Sequence, residues 1–202
     1  MSTAARFSRR IFSGIQLTKV SHLGNYFGAI KQWIVLQQND DAKCLFSIVD
    51  LHSITIPHYD PKELRGKIEL MTASLLACGV RPNTLFLQSM VPEHGQLCWL
   101  FSCISTMNKM YHFPQFKEKT AKTTETPLGI YLYPILQAAD VLLYKSTHVP
   151  VGEDQLPHIN LIKDIAQTFN KRQKIRASSS DSVRYFGVGS TTFVSCTPNE
   201  MA

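Results

Sequence analysis

Along the chain, short runs of apolar and β-branched residues alternate with longer stretches whose apolar positions recur every three to four residues. Residues 11–16 form the first run and predict a buried strand. Residues 25–38 follow, with Tyr26, Ala29, Ile30, Trp33, Ile34 and Leu36 as the apolar positions of a predicted helix. The stretch KCLFSIVDLHSITI (43–56) predicts a central strand running into a polar loop. Residues 61–78 predict a helix, with proline at its start and Gly79 just past its end. NTLFLQS (83–89) predicts a third strand and GQLCWLFSCIS (95–105) the next helix. Residues 128–144 predict a buried helix interrupted near Pro134, residues 147–155 a short strand and turn, and residues 155–170 a last helix.

Strand and helix in regular succession predict an α/β fold: a Rossmann-like parallel sheet with right-handed crossovers and helices on both faces. In such sheets ligands lie beyond the carboxyl ends of the strands. Three segments are expected: a basic arm or transit peptide over residues 1–10, the Rossmann-like domain over 11–172, and a divergent, irregular tail over 173–202. The tail concentrates serine and sustains neither a helical nor an alternating pattern, as an altered reading frame or an alternatively spliced end would.

Composition narrows this only a little. A chain of 202 residues, 44% hydrophobic, suffices for one core with an appendage. No apolar run reaches the roughly 18 residues of a membrane span, so no membrane partner is expected. The net charge of +6 is concentrated at the ends. Residues 1–31 contain Arg6, Arg9, Arg10, Lys19 and Lys31 and no acid, and the middle of the chain is slightly acidic. Such ends suit a nucleic acid or are simply solvated. MSTAARFSRR has the acid-free, Ser- and Arg-containing composition of an organellar transit peptide, and reads equally as a frayed basic terminus. The five cysteines, Cys44, Cys78, Cys98, Cys103 and Cys196, contain no C-x-x-C pair and read as small core residues in a reducing compartment. Neither a disulfide framework nor a metal site is expected.

Gly24 and Asn25 stand where the first strand turns into a helix, a junction that lets backbone approach a phosphate while free N–H groups point at it; His22 adds a donor of adjustable charge. Small residues cap helices everywhere, so the junction by itself fits a purely structural role as well. Asp140 lies on an otherwise apolar helix face. A carboxylate there is costly unless paired, either by a bound donor or by a nearby backbone N–H. Phe12 reads as a pocket wall or as plain core. His52 reads as bordering a pocket, and His58, His94, His112, His148 and His158 as loop or surface residues.

The segments FSGIQ, HLGNYFGAI, IVDLHSIT, QFKEKT, YPILQAADVLLYKSTHVPVGEDQ and FNK, in that order, resemble tryptophanyl-tRNA synthetase of the mitochondrial and bacterial kind. The likeness runs from about Ile11 to Lys171. It implies a ligase that joins tryptophan to ATP, releases pyrophosphate and passes the aminoacyl group to tRNA(Trp). On this resemblance HLGN (His22, Leu23, Gly24, Asn25) stands at the HIGH signature, with His22 and Asn25 catalytic. Gln16, Thr18, Gly152, Glu153 and Asp154 join it in holding ATP. Asp140 would receive the indole N–H of tryptophan, with Tyr133 and Gln155 near its amino group and Phe12 and His52 as walls. The resemblance also implies Mg²⁺ bridging the ATP phosphates, a homodimer to which the apolar stretch 95–110 contributes, and the mitochondrial matrix, with the cytoplasm as the alternative. KEKTAKTT (117–124) matches a solvated linker.

Leu17 and Lys19 stand where the family has proline and glycine, which loosens the expected ATP loop. No KMSKS-like segment follows the last predicted helix. A noncatalytic tryptophan- or adenylate-binding protein, or one that pairs with full-length subunits, is the alternative expectation. A dinucleotide oxidoreductase is disfavoured because the first turn has no G-x-G-x-x-G.

Overall fold

The computed structural model describes residues 9–17, 23–39, 41–55, 60–111, 127–152, 155–172 and 192–195. Five strands, β1 (Arg9–Ile15), β2 (Ala42–Ile48), β3 (Leu85–Leu87), β4 (His148–Val151) and β5 (Thr192–Ser195), form one sheet in the order β3-β2-β1-β4-β5. Every pairing is parallel, with Ile11 opposite Cys44 and Ile15 opposite Ile48 across β1 and β2. Parallel neighbours require crossovers, and the helices supply them.

The first crossover is a continuous helical stretch in three pieces: α1 (Leu23–Asn25), a π-helical turn (Tyr26–Ile30) and α2 (Lys31–Leu36). After β2 come a one-turn helix α3 (Asp50–Ser53) and the long α4 (Pro61–Ala77). The 3₁₀ turns Pro82–Thr84 and Gln88–Met90 flank β3, and α5 (Glu93–Ser102), α6 (Met107–Tyr111), α7 (Leu128–Leu143) and α8 (Leu156–Arg172) are the remaining helices among the described residues.

Strand alternation sorts the core into two layers, because successive side chains leave a strand on opposite faces. Ile11 and Ile15 of β1 with Cys44, Phe46 and Ile48 of β2 face Ile30 and Trp33 of the first crossover and Met71 and Leu75 of α4. Trp33 and Phe46 stack with centroids 4.4 Å apart. Phe12 and Val149 face the other way, against Phe101 of α5, Ile135, Ala138 and Ala139 of α7, and Ile159, Ile162 and Ile165 of α8. Each such large side chain, fully buried, stabilises the fold by about 1.5–3 kcal/mol.

Local chemistry sets the ends of α4. The Asp60 carboxylate accepts from the Lys62 N–H at 2.9 Å, and Pro61 fills the first helical position where no donor is needed. At the other end Val80 N–H donates to the Leu75 carbonyl and Gly79 N–H to that of Leu76, both at 3.0 Å. This is a Schellman closure, and it requires the left-handed backbone that Gly79 adopts at φ 103°. The Gln37 side chain clamps the turn, donating to the Gly79 carbonyl at 2.7 Å and accepting from Arg81 N–H at 2.9 Å.

The structure departs from the expected elements at five places. β1 begins at Arg9, inside the segment expected to be an arm. Residues past β2 form α3 rather than a loop, so His52 sits on a helical turn. Pro134 does not interrupt α7, which runs on through it; the helix loses one backbone hydrogen bond there but keeps its packing on both flanks. Thr192–Ser195, within the segment expected to be irregular, pairs as β5 beside β4. Its sequence TFVS is β-forming, and pairing satisfies what would otherwise be the open edge of β4. Cys103 is exposed rather than a core residue, whereas Cys44 is buried.

Candidate active site

The strand order reverses at β1: β2 and β3 lie to one side, β4 and β5 to the other. Connections leaving β1 and β4 therefore diverge, and a crevice opens beyond their carboxyl ends. It holds a cavity of about 400 Å³, within the usual size of small-molecule sites. Phe12, Ser13, Gly14 and Gln16 come from β1 and its end, Val149, Pro150, Val151 and Gly152 from β4 and its end, and Gln155 from the start of the next helix. Gly28, Ala29, Gln32 and Trp33 come from the first helical stretch, His52 and Thr55 from α3 and its end, and Tyr133, Gln137, Asp140 and Val141 from α7. Gly28 and Ala29 belong to the π-helical turn, a deformation frequent at functional sites.

Gly14 allows β1 to pass close beside the residue that leads into α3. A Cβ added there would stand 2.9 Å from Val49 Cγ1. The short helix is then fastened by polar contacts. The His52 carbonyl accepts from Gln16 Nε2 at 3.3 Å and from the Thr55 hydroxyl at 2.8 Å. Leu17 N–H donates to Ser53 Oγ, and Asp50 Oδ1 accepts from Ser89 N–H.

Asp140 is the chemical centre of the wall. It is 2% exposed, and a lone carboxylate at that depth would be strongly disfavoured. Three side chains compensate. Gln88 Nε2 donates to Oδ1 at 2.7 Å, His94 Nδ1 lies 2.6 Å from the same oxygen, and His52 Nε2 lies 2.8 Å from Oδ2. Burial alone pushes the Asp140 carboxyl up, but the hydrogen bonds and positive character of His52 and His94 outweigh it and hold it below the ordinary value. The carboxylate is thus an acceptor at neutral pH.

The network continues outward. His94 Nε2 lies 2.8 Å from the Tyr144 hydroxyl, and Gln88 Oε1 accepts from Leu51 N–H at 3.1 Å. Burial, then the negative charges of Asp140 and Glu93, push the Tyr144 hydroxyl up to about 12, so it keeps its proton. Burial likewise pushes the Tyr133 hydroxyl up to about 12; its oxygen lies 3.1 Å from His158 Nε2.

Of the residues expected from the sequence, Phe12, Gln16, His52, Tyr133, Asp140, Gly152 and Gln155 meet around this one cavity. Leu23, Gly24 and Asn25 form the exposed to half-buried start of the first helical stretch, outside the lining, which that stretch supplies from Gly28 onward. Thr18, His22, Glu153 and Asp154 lie outside the described residues, as do His58, His112 and the stretch 117–124. Phe12 is both wall and core: it is buried, lines the cavity and stacks on Tyr144 with centroids 5.7 Å apart.

Two expectations are corrected. Asp140 is not set in apolar surroundings, because its burial is compensated by side-chain donors of the protein itself and not by a backbone N–H. His94 and His158 are fully buried rather than surface residues. His94, Gln88 and Tyr144 were not anticipated. A signal existed for the first two: His94, Cys98 and Phe101 share one helix face, and Gln88 ends a strand on the side where ligands bind.

Among the described residues no group of three His, Cys, Asp or Glu side chains is placed to hold a metal ion. Among the same residues no helix is long and apolar enough to cross a membrane.

Residues 6–185 match the family model described as tRNA synthetases class I (W and Y), beyond both ends of the likeness read from the sequence. A protein of Streptomyces avermitilis named tryptophan–tRNA ligase 2 is 49% identical over 168 residues, covering 81% of this chain and 49% of that protein. The mitochondrial tryptophan–tRNA ligase of Caenorhabditis elegans is 48% identical over 166 residues, covering 79% of this chain and 46% of its own length. The crystal structure of the Campylobacter jejuni tryptophanyl-tRNA synthetase with ADP and tryptophan superimposes with a TM-score of 0.73 at 34% identity, over 80% of this chain and 50% of that one. This chain therefore spans about half the length of the relatives it matches.

Proposed function

The chain belongs to the class I tRNA synthetases of the W and Y kind, and from that membership we propose that it carries the amino-acid-activating site of a tryptophan–tRNA ligase. The observation that carries the reading is the state of Asp140. Its Oδ1 takes two hydrogen bonds and its Oδ2 one, while a carboxylate offers about four acceptor positions. One position on Oδ2 is left for a ligand, in a group that lines the cavity. An indole N–H is a donor with no acceptor character and suits it. An aromatic amino acid without that donor leaves the carboxylate short of a partner, a penalty larger than apolar shape alone imposes.

Phe12 and His52 serve as walls for the ring, with Tyr133 and Gln155 toward the amino group. Gln16 and Gly152, with Thr18, His22, Leu23, Gly24, Asn25, Glu153 and Asp154, make up the ATP side, His22 and Asn25 acting at the phosphates. The ADP and tryptophan bound together in the Campylobacter jejuni relative support one crevice for both. The substrate carboxylate oxygen attacks the α-phosphorus, the bond to the bridging oxygen breaks, and pyrophosphate leaves with its electron pair. A terminal ribose hydroxyl of tRNA(Trp) then attacks the acyl carbon and AMP departs. No side-chain nucleophile is needed, so the chain's contribution is positioning and charge stabilisation. Mg²⁺ bound with ATP would supply neutralisation of the phosphate charge.

Exposed Met90, Trp99, Leu100 and Met107 support pairing of two copies. The Caenorhabditis elegans relative and the acid-free N-terminal composition support the mitochondrial matrix, and the bacterial relatives keep the cytoplasm as the alternative.

The test is exchange of pyrophosphate into ATP. Tryptophan should stimulate it, tyrosine should not, and Asp140→Ala should lower it on the order of a hundredfold or more. Equal stimulation by tyrosine, or exchange unaltered in the variant, overturns the reading.

A further inference from the structure

The three hydrogen bonds to Asp140 are distributed unequally, and the inequality has a direction. The saturated oxygen, Oδ1, is held by Gln88 and His94, neither of which lines the cavity. The oxygen with a position to spare, Oδ2, is held by His52, which does line it. Donors behind the wall thereby anchor the carboxylate by one oxygen and turn the other toward the ligand space.

His94 can do this in only one neutral form. To donate to Oδ1 through Nδ1 it must leave Nε2 unprotonated, and Nε2 then accepts from the Tyr144 hydroxyl 2.8 Å away. Tyr144 keeps that proton at neutral pH. Its ring is in turn fixed, stacked on Phe12 and edge-on to Phe86 with centroids 5.5 Å apart. The acceptor-only carboxylate and the packed Tyr144 hydroxyl, which donates to Nε2, together fix the histidine tautomer, and the tautomer anchors the carboxylate's orientation.

Resting on the reading of Asp140 as the receiver of a ring N–H, we propose that His94, oriented by Tyr144, is the positioning residue through which the site selects that N–H. Without the pair, Asp140 loses a donor on Oδ1 and can rotate or take up a proton. A protonated oxygen facing the cavity is a donor and only a weak, uncharged acceptor, so a ring N–H meeting it loses its charge-assisted partner. Selectivity for the N–H falls, while the apolar fit of the ring is left intact.

The probes are L-tryptophan and the analogue L-3-benzothienylalanine, in which sulfur replaces the ring N–H, titrated into the full chain by calorimetry. The unaltered chain should prefer tryptophan on the order of ten- to a hundredfold, as expected for a hydrogen bond to an ionised group. In Tyr144→Phe, which keeps the stacked ring, and in His94→Leu the preference should fall to within about threefold of unity through loss of tryptophan affinity, with analogue affinity unchanged. His94→Asn, whose amide can donate from near the Nδ1 position, should recover most of the preference. Preference retained in both Tyr144→Phe and His94→Leu overturns the role of His94, as does equal loss of both ligands, the signature of a merely structural residue. Absence of any preference in the unaltered chain overturns the reading of Asp140 itself, so the two failures are separable.

Discussion

Replacing Asp140 by alanine should destabilise the fold by an amount that can be worked from its partners. Gln88 and His94 are both 0% exposed, so the donors they aim at Oδ1 cannot turn to solvent. A stranded buried donor costs about 1–3 kcal/mol, giving about 2–6 kcal/mol for the two. His94 relieves part of its share by moving its proton to Nε2 and donating to Tyr144, yet Nδ1 then remains as an unpaired acceptor. His52 borders the cavity, where water can replace the lost oxygen, and adds little. The expected loss is about 3–5 kcal/mol, as for other buried pairs broken on one side. Asp140→Asn is the control. Its amide oxygen retains the two donors at Oδ1, and its amide nitrogen donates to His52 Nε2 in the other tautomer. Only the charge assistance of two bonds is lost, about 2 kcal/mol. Urea unfolding with a common slope should therefore rank the wild type above Asn and Asn above Ala, and the Ala variant should melt on the order of 10 °C lower. A loss in Asp140→Ala under about 1 kcal/mol would refute the claim that the three donors depend on this carboxylate.

The same group predicts an acid response. The folded Asp140 is held below its ordinary value, so its stabilisation is complete above the unfolded pKa of about 3.9 and disappears as pH falls through that value toward the lower folded one. The melting gap between wild type and Asp140→Asn should therefore be largest above about pH 4 and shrink progressively as pH falls below it; a gap that widens as the pH falls contradicts the assignment. Gly14→Ala should push against Val49 Cγ1, 2.9 Å from the added carbon, costing about 1–3 kcal/mol of stability. Because Val49 leads into α3 and His52, tryptophan affinity should fall as well; a normal melting temperature with normal affinity would show that the contact relaxes freely.

Much of the architecture is written locally. Residues 61–79 carry their own start and stop in Asp60, Pro61 and Gly79, and the apolar runs around Ile11, Phe46 and Leu87 announce parallel strands whatever they pair with. The pocket residues that belong to a contiguous motif, such as Tyr133, Asp140, Gly152 and Gln155, could be named together on resemblance, and the fold brings those four to one cavity. The surroundings of Asp140 could not be read the same way. Its neighbours along α7 are apolar, but its neighbours in space are His52, Gln88 and His94, from α3, the end of β3 and the face of α5. Pro134 misled for a related reason, since a propensity counts one lost hydrogen bond and not the packing that holds α7 straight on. The stretch TFVS is too short to predict a strand by itself, and it becomes one beside the edge of β4.

Periodicity, caps and breakers act within a few residues, and by themselves they determined most of the strands and long helices and their parallel order. Only the tertiary structure decided which donors meet Asp140 and which of its oxygens remains available. Hydrogen-bond satisfaction of a buried charge is a property of groups within about 3 Å in space, and those groups are up to 88 positions apart in the chain.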